Sequence, residues 1–165
     1  VLPSSLIQIR DEFDLSYGAV GVLGALVYLG LVFGAALSGW ALLKFQSKRV
    51  TLAALLSNSA AVLLFGAAPN VPLLFVARFL IGFTQAPLFV YAPVWTDEHA
   101  PVGSQTKWMS LLQAFVAMGI MVGYVLGGLL TTNAGDKYWR TALYIQAGLL
   151  LPFAGLLSVM PARLV

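Results

Sequence analysis

Arg78, Gln85 and Phe89 stand in a run that is otherwise almost purely apolar, RFLIGFTQAPLFVYAPVW. A guanidinium is a planar fork of donors that suits carboxylate or phosphate. Gln85 follows Arg78 by seven residues, close to two helical turns, with Gly82 between them on the same flank. That alignment predicts a polar, thinly walled face beside a cavity, with Gln85 either in an interhelical hydrogen bond or in contact with a substrate. Every acid of the chain, Asp11, Glu12, Asp14, Asp97, Glu98 and Asp136, lies outside the apolar runs. Arg78, ~10 Å below a membrane boundary, therefore has no carboxylate at its depth. Three readings stay open: it snorkels outward, it pairs with a carboxylate or carbonyl of a preceding helix, or it meets an anionic substrate in a wet cavity. Farther on, Gln113 and Tyr124 are eleven residues apart, near three turns, while GIMVGYVLGG places Gly119, Gly123 and Gly127 on another face, with Gly128 beside them. One face is set to pack a neighbouring helix and the other to offer polar groups.

Other chemistries lack their parts. No Asp, Glu, His or Cys falls inside an apolar run, so an intramembrane enzyme has neither nucleophile and base nor paired carboxylates. With no cysteine in the chain, thiol catalysis, disulfides and thiolate metal sites are excluded, and no metal or cofactor is expected. Asp97, Glu98 and His99, in TDEHAP, read as solvated charge in a loop at a helix end. Ser57, Asn58 and Ser59 read as interhelical hydrogen bonders.

The elements that must position these residues follow from composition. At 60% hydrophobic and 9% charged residues, against roughly 45–50% and 25% in soluble domains, the chain belongs in lipid. Charge-free runs of about 20 residues, the length that crosses a ~30 Å hydrocarbon core, fall at Tyr17–Leu43, Val50–Ala68, Val71–Trp95, Trp108–Thr132 and Thr141–Met160. Only Arg78 interrupts them with charge. The opening VLPSSLIQIRDEFDLS is too short and too charged to span; it reads as the tail of an earlier helix plus a loop. Lys44, Lys48, Arg49, Lys107 and Arg163 collect at one end of the spans. Arg10, Lys137 and Arg140 at the other are diluted by four acids, so the first span begins outside and ends in the cytoplasm. The basic residues form no stripe, which excludes a nucleic-acid partner. One helix before residue 1 would make six spans with both ends cytoplasmic, half of a paired-repeat transporter. A non-transporting membrane scaffold or receptor is the alternative reading.

Several motifs resemble the major facilitator superfamily. GWALLKFQSKR is similar to its signature between the second and third helices: Gly39, Lys44, Lys48 and Arg49 fit, with Leu43 and Gln46 in place of the family's acid and second glycine. The glycine run in GIMVGYVLGG is similar to the family's fifth helix, with Tyr124 where a proline is common. RFLIGFTQAPLFVYAPVWTDEHAP resembles the fourth helix and following loop of Spinster-like and related protozoan members, with Thr84 and Gln85 where Spinster relatives carry an acid. YWRTALYIQAGLLL resembles the start of the sixth helix, and LIQIRDEFDLS the loop between the first two.

The resemblance implies an all-α, polytopic bundle of five spans. Residues 1–165 would be a partial N-terminal repeat, helices two to six, completed by a first helix and a C-terminal bundle of the same protein. It implies a secondary transporter of small solutes or lipids, embedded in the bilayer and working by alternating access, driven by a proton, a sodium ion or a counter-substrate. Arg78, Gln85, Phe89, Gln113 and Tyr124 would face substrate. Gly39, Lys44, Lys48 and Arg49 would belong to a cytoplasmic gate loop, whose Lys or Arg side chains would meet Asp97 and Glu98 as a latch. The location would be multi-pass in a membrane, with plasma and endolysosomal membranes both open.

Overall fold

The computed structural model describes residues 2–134 and 139–160; Asp136, Lys137 and Arg163, used above to orient the spans, lie outside the described residues. Six helices follow one another: α1 (Leu2–Phe13), α2 (Tyr17–Lys44), α3 (Ser47–Ala67), α4 (Val71–His99), α5 (Gln105–Ala134) and α6 (Trp139–Val159). The last five are long and apolar enough to cross a membrane, and each coincides with an expected span to within a turn.

Local chemistry sets the boundaries. Ser16 caps α2 by accepting from the Ala19 amide at 3.2 Å, and Asn70 caps α4 by accepting from the Leu73 amide at 3.1 Å, each satisfying one orphan donor of a first turn. The stretch through RDEF is helical rather than a loop, so α1 continues to Phe13. It ends where Asp14 takes φ 49° and the Leu15 amide reaches back to the Arg10 carbonyl at 3.0 Å, a left-handed cap that a short polar side chain tolerates. Helix α4 runs through Pro87 and Pro93 and four residues past its expected end. Asp97, Glu98 and His99 therefore occupy its last turn instead of a loop. Nothing breaks the helix before Pro101, and the Ala100 amide still closes on the Thr96 carbonyl at 3.0 Å.

Packing is tightest between α2 and α4. A Cβ on Gly34 would lie 2.5 Å from the Phe83 carbonyl oxygen and 2.7 Å from the Ala86 methyl; one on Gly30 would overlap the Phe79 carbonyl, and one on Gly82 the Val27 carbonyl. Gly30, Gly34 and Ser38 recur every fourth residue, as do Gly82 and Ala86, so missing side chains interlock from both helices. Polar bonds join α3 to its neighbours: Asn58 Nδ2 donates to the Ile81 carbonyl at 3.1 Å and to Thr84 Oγ1 at 3.2 Å, and Ser59 Oγ donates to the Ala147 carbonyl at 3.2 Å. Asn58 and Ser59 thus make the interhelical bonds expected of the SNS triplet, whereas Ser57 is exposed.

The two ends of the bundle are built differently. At the end holding the α1–α2, α3–α4 and α5–α6 connections, Ile9, Leu23, Val62, Phe65, Leu74 and Trp139 are fully buried, and Phe65 meets Trp139 edge-on at 6.1 Å. At the basic end α3 begins, and Lys48 Nζ donates to the carbonyls of Ser158, at 2.8 Å, and Met160 at the close of α6. Helix α5 is exposed along most of its length.

Candidate functional site

Arg78 sits two turns into α4 and turns toward the bundle. Its guanidinium carbon lies 6.0 Å from the ring centroid of Phe65 on α3, a ring with no exposed surface. This distance is at the limit of a cation–π contact. Among the described residues its buried Nε has no hydrogen-bond partner and no carboxylate pairs with the side chain. A charge held inward beside an apolar ring, with a buried donor unsatisfied, is costly unless another group compensates.

Gln85 and Phe89 lie within about 20° of Arg78 on the α4 wheel; Gln85 is half-buried and Phe89 exposed. The three share one line running from the far end toward the basic end. Gly82 belongs to the same flank, and here the expectation of a thin wall is corrected. The Val27 backbone of α2 fills the place of its missing side chain, so this glycine serves helix contact and encloses no space.

The α5 residues are not brought to that line. Gln113 is exposed and Tyr124 is 48% exposed. A Cβ at Gly119 or Gly128 would meet nothing within 4 Å, whereas Gly127 is buried and Gly123 partly so. Two crevices stand out among the described residues, one of about 290 Å³ between α2, α3 and α4, lined by Gly34, Ser38, Ala54, Ser57 and Thr84 among others. The other, about 270 Å³, lies between the close of α4 and the start of α5. Neither is lined by Arg78, Gln85, Phe89, Gln113 or Tyr124.

At the basic end the KFQSKR turn is tighter than a loop. Lys44 closes α2, Lys48 and Arg49 lie in the first turn of α3, and Phe45 and Gln46 alone connect them. Lys44 Nζ lies 4.9 Å from the Trp40 ring centroid, Lys48 is held by α6, and Gly39 faces open space. Asp97 and Glu98 are exposed, and among the described residues neither forms an ion pair with these cations. The ammonium of Lys48 instead takes the carbonyl end of α6, where the helix dipole favours a cation.

A cluster not singled out from the sequence closes the opposite end. Glu12 Oε1 accepts from Arg140 Nη2 at 2.8 Å, and its Oε2 accepts from the Trp139 indole at 2.6 Å. Arg140 also donates to the carbonyls of Gly66 at 3.2 Å and Ala68 at 3.4 Å. One guanidinium thus joins the ends of α1, α3 and α6. Its sequence signal was the Trp-Arg pair opening the last span opposite RDEFD, but nothing in the spacing chose Glu12 over Asp11 or Asp14.

Comparison with known proteins adds a family. The profile of the Major Facilitator Superfamily matches residues 1–163. Among similar proteins, the probable sphingolipid transporter spinster homolog 1 of Arabidopsis thaliana is 27% identical over 139 residues, 84% of this chain and 28% of that protein. The cis,cis-muconate transport protein of Acinetobacter baylyi is 28% identical over 145 residues, 88% of this chain and 34% of that protein. The galactose-proton symporter of Escherichia coli is 28% identical over 152 residues, 92% of this chain and 32% of that protein. The chain spans roughly a third of the length of these relatives.

Proposed function

The chain belongs to the Major Facilitator Superfamily, and from that premise we propose that it is a partial N-terminal bundle of a secondary active transporter that moves a small solute or lipid by alternating access. A first helix and a C-terminal bundle of the same protein complete it. The long exposed faces of α5 and the roughly one-third coverage of the relatives support this reading.

The observation that carries the proposal is the Arg78 guanidinium, turned inward within a span with its Nε unsatisfied. In the complete protein it receives either the anionic group of a substrate or a carboxylate of the first helix. Gln85 and, once the bundle is complete, Gln113 and Tyr124 add polar contacts, and Phe89 an apolar wall. Transport requires that substrate and any coupling ion stabilise the two facings of the path unequally. The latch between Asp97 or Glu98 and the KFQSKR cations belongs to a facing other than the one described.

The test uses the full-length protein in proteoliposomes, offered labelled galactose, cis,cis-muconate and a sphingolipid under proton, sodium and counter-substrate gradients. Accumulation of one of them against its gradient, lost in Arg78→Gln, is the expected result. Wild-type protein that only equilibrates every solute would overturn the reading.

A further inference from the structure

Two mirrored caps close the α3–α6 pair. Lys48 is the second residue of α3 and Arg140 the second of α6. Arg140 donates to the carbonyls of Gly66, at 3.2 Å, and Ala68, at 3.4 Å, where α3 closes. Lys48 donates to those of Ser158, at 2.8 Å, and Met160, where α6 closes. One fixed step along the chain carries Lys48, Gly66 and Ala68 onto Arg140, Ser158 and Met160. Each helix of an antiparallel pair thus places a cation on the carbonyl end of the other, where the helix dipole favours it. A second fixed step carries Gly30, Gly34 and Ser38 of α2 onto Gly119, Gly123 and Gly127 of α5. This is the pattern of two inverted three-helix units, in which α3 answers to α6, α2 to α5 and α1 to α4.

The acids break the mirror. Glu12, last but one in α1, joins the Arg140 cap at 2.8 Å and accepts from the Trp139 indole at 2.6 Å. Its counterpart is Glu98, last but one in α4. Glu98 lies about 20° from Pro87 on the α4 wheel, whereas Asp97 lies about 80° from it. Pro87 shares a crevice with Ala41 and Val50, which stand on either side of the KFQSKR turn, so Glu98 is the acid on the side of that turn. Lys48 has three donors, two of them used on α6, and one is left for a carboxylate. Ser47 offers a hydroxyl where Trp139 offers an indole. Yet among the described residues Glu98 forms no ion pair. One end of the bundle holds its acid on the cap and the other holds it off, as two gates of which only one closes at a time require. Pro87 and Pro93 let the close of α4 bend toward its cap.

We propose that Glu12 and Arg140 form a latch at the far end, closed in this facing, which opens as Glu98 closes on Lys48 at the basic end. The inference rests on the transport reading above; it adds a second latch and names the pair in the first.

The test follows entry to the path in the full-length protein, in sealed vesicles oriented with the far end outward. Any other cysteines are replaced, and Gln85→Cys reports reaction with a membrane-impermeant methanethiosulfonate. Added to this parent, Glu12→Gln should speed labelling at least threefold by freeing the far-end gate. Glu98→Gln should slow it at least threefold by freeing the opposite gate, and the two together should return the rate to within twofold of the parent. Neither change touches the carbonyl caps, so α3 and α6 stay joined. Should Glu12→Gln fail to fold, Glu12→Asp, which keeps the charge but falls one methylene short of its partners, should still speed labelling at least twofold. An unchanged rate in either single variant, or shifts of one sign in both, would overturn the latch alone. Labelling of the parent no faster than that of Leu56→Cys would overturn the transport reading itself, and the latch with it.

Discussion

A charged side chain that stabilises a fold and one that serves a ligand respond oppositely to removal, and Arg78 offers that contrast. Its buried Nε has no acceptor among the described residues, so where its partner is the substrate rather than a first-helix carboxylate, an apolar replacement of similar length removes a desolvated donor and leaves no protein group stranded. Arg78→Met in the full-length protein is therefore expected to keep or raise Tm while lowering transport at least tenfold, as read by paired thermal-shift and uptake assays. A loss of more than about 3 kcal/mol of stability, the size of a broken buried ion pair, would make Arg78 structural. Asn58 behaves the other way. It is buried and holds Ile81 and Thr84 of α4, bonds worth about 0.6 kcal/mol each within a membrane. Asn58→Ala should cost about 1 to 2 kcal/mol by denaturant titration in detergent and leave substrate affinity unchanged; a change in affinity without loss of stability would contradict this role.

At the scale of helices, the spans were legible because a charge-free run of sufficient length has few other fates, and caps such as Ser16 and Asn70 mark where they start. Helix contacts were less so. Two glycine series at fourfold spacing exist, Gly30–Gly34 and Gly119–Gly123–Gly127, and spacing alone does not rank them. The structure places an intimate contact at the first, where a second small-residue series, Gly82 and Ala86, faces it. Gly82→Ala should then disrupt the α2–α4 contact by the 1–3 kcal/mol typical of overpacking, or more because the obstacle is backbone. In a detergent-stability series it should fall well below Gly119→Ala, whose new methyl meets nothing in the described chain. Equal behaviour of the two would show that α5 is as tightly engaged in the complete protein as α2 and α4 are here.

Across the whole molecule, the fold class, the five spans and the family were readable because each sums many weak signals of one sign. The candidate site is a different matter. Spacing puts Arg78, Gln85 and Phe89 on one face of α4, but whether a polar residue lines a path depends on what stands opposite. For Gln113 and Tyr124, exposed on α5, nothing in the described chain does. The Glu12–Trp139–Arg140 clamp escaped notice for a related reason: its partners are 127 and 128 residues apart, and only tertiary structure says which acid meets the guanidinium.

The account rests on a wet passage along the Arg78 face of α4. This chain has no cysteine, so single cysteines report cleanly once any elsewhere in the full-length protein are replaced. Gln85→Cys and Leu56→Cys both lie near the middle of their helices, but Leu56 is on the exposed face of α3 opposite Asn58. Reaction of both with a membrane-impermeant methanethiosulfonate in sealed vesicles is the direct measurement. Labelling of Gln85→Cys at least tenfold faster than Leu56→Cys, slowed by substrate, is the predicted result; equally slow labelling of the two would contradict the passage.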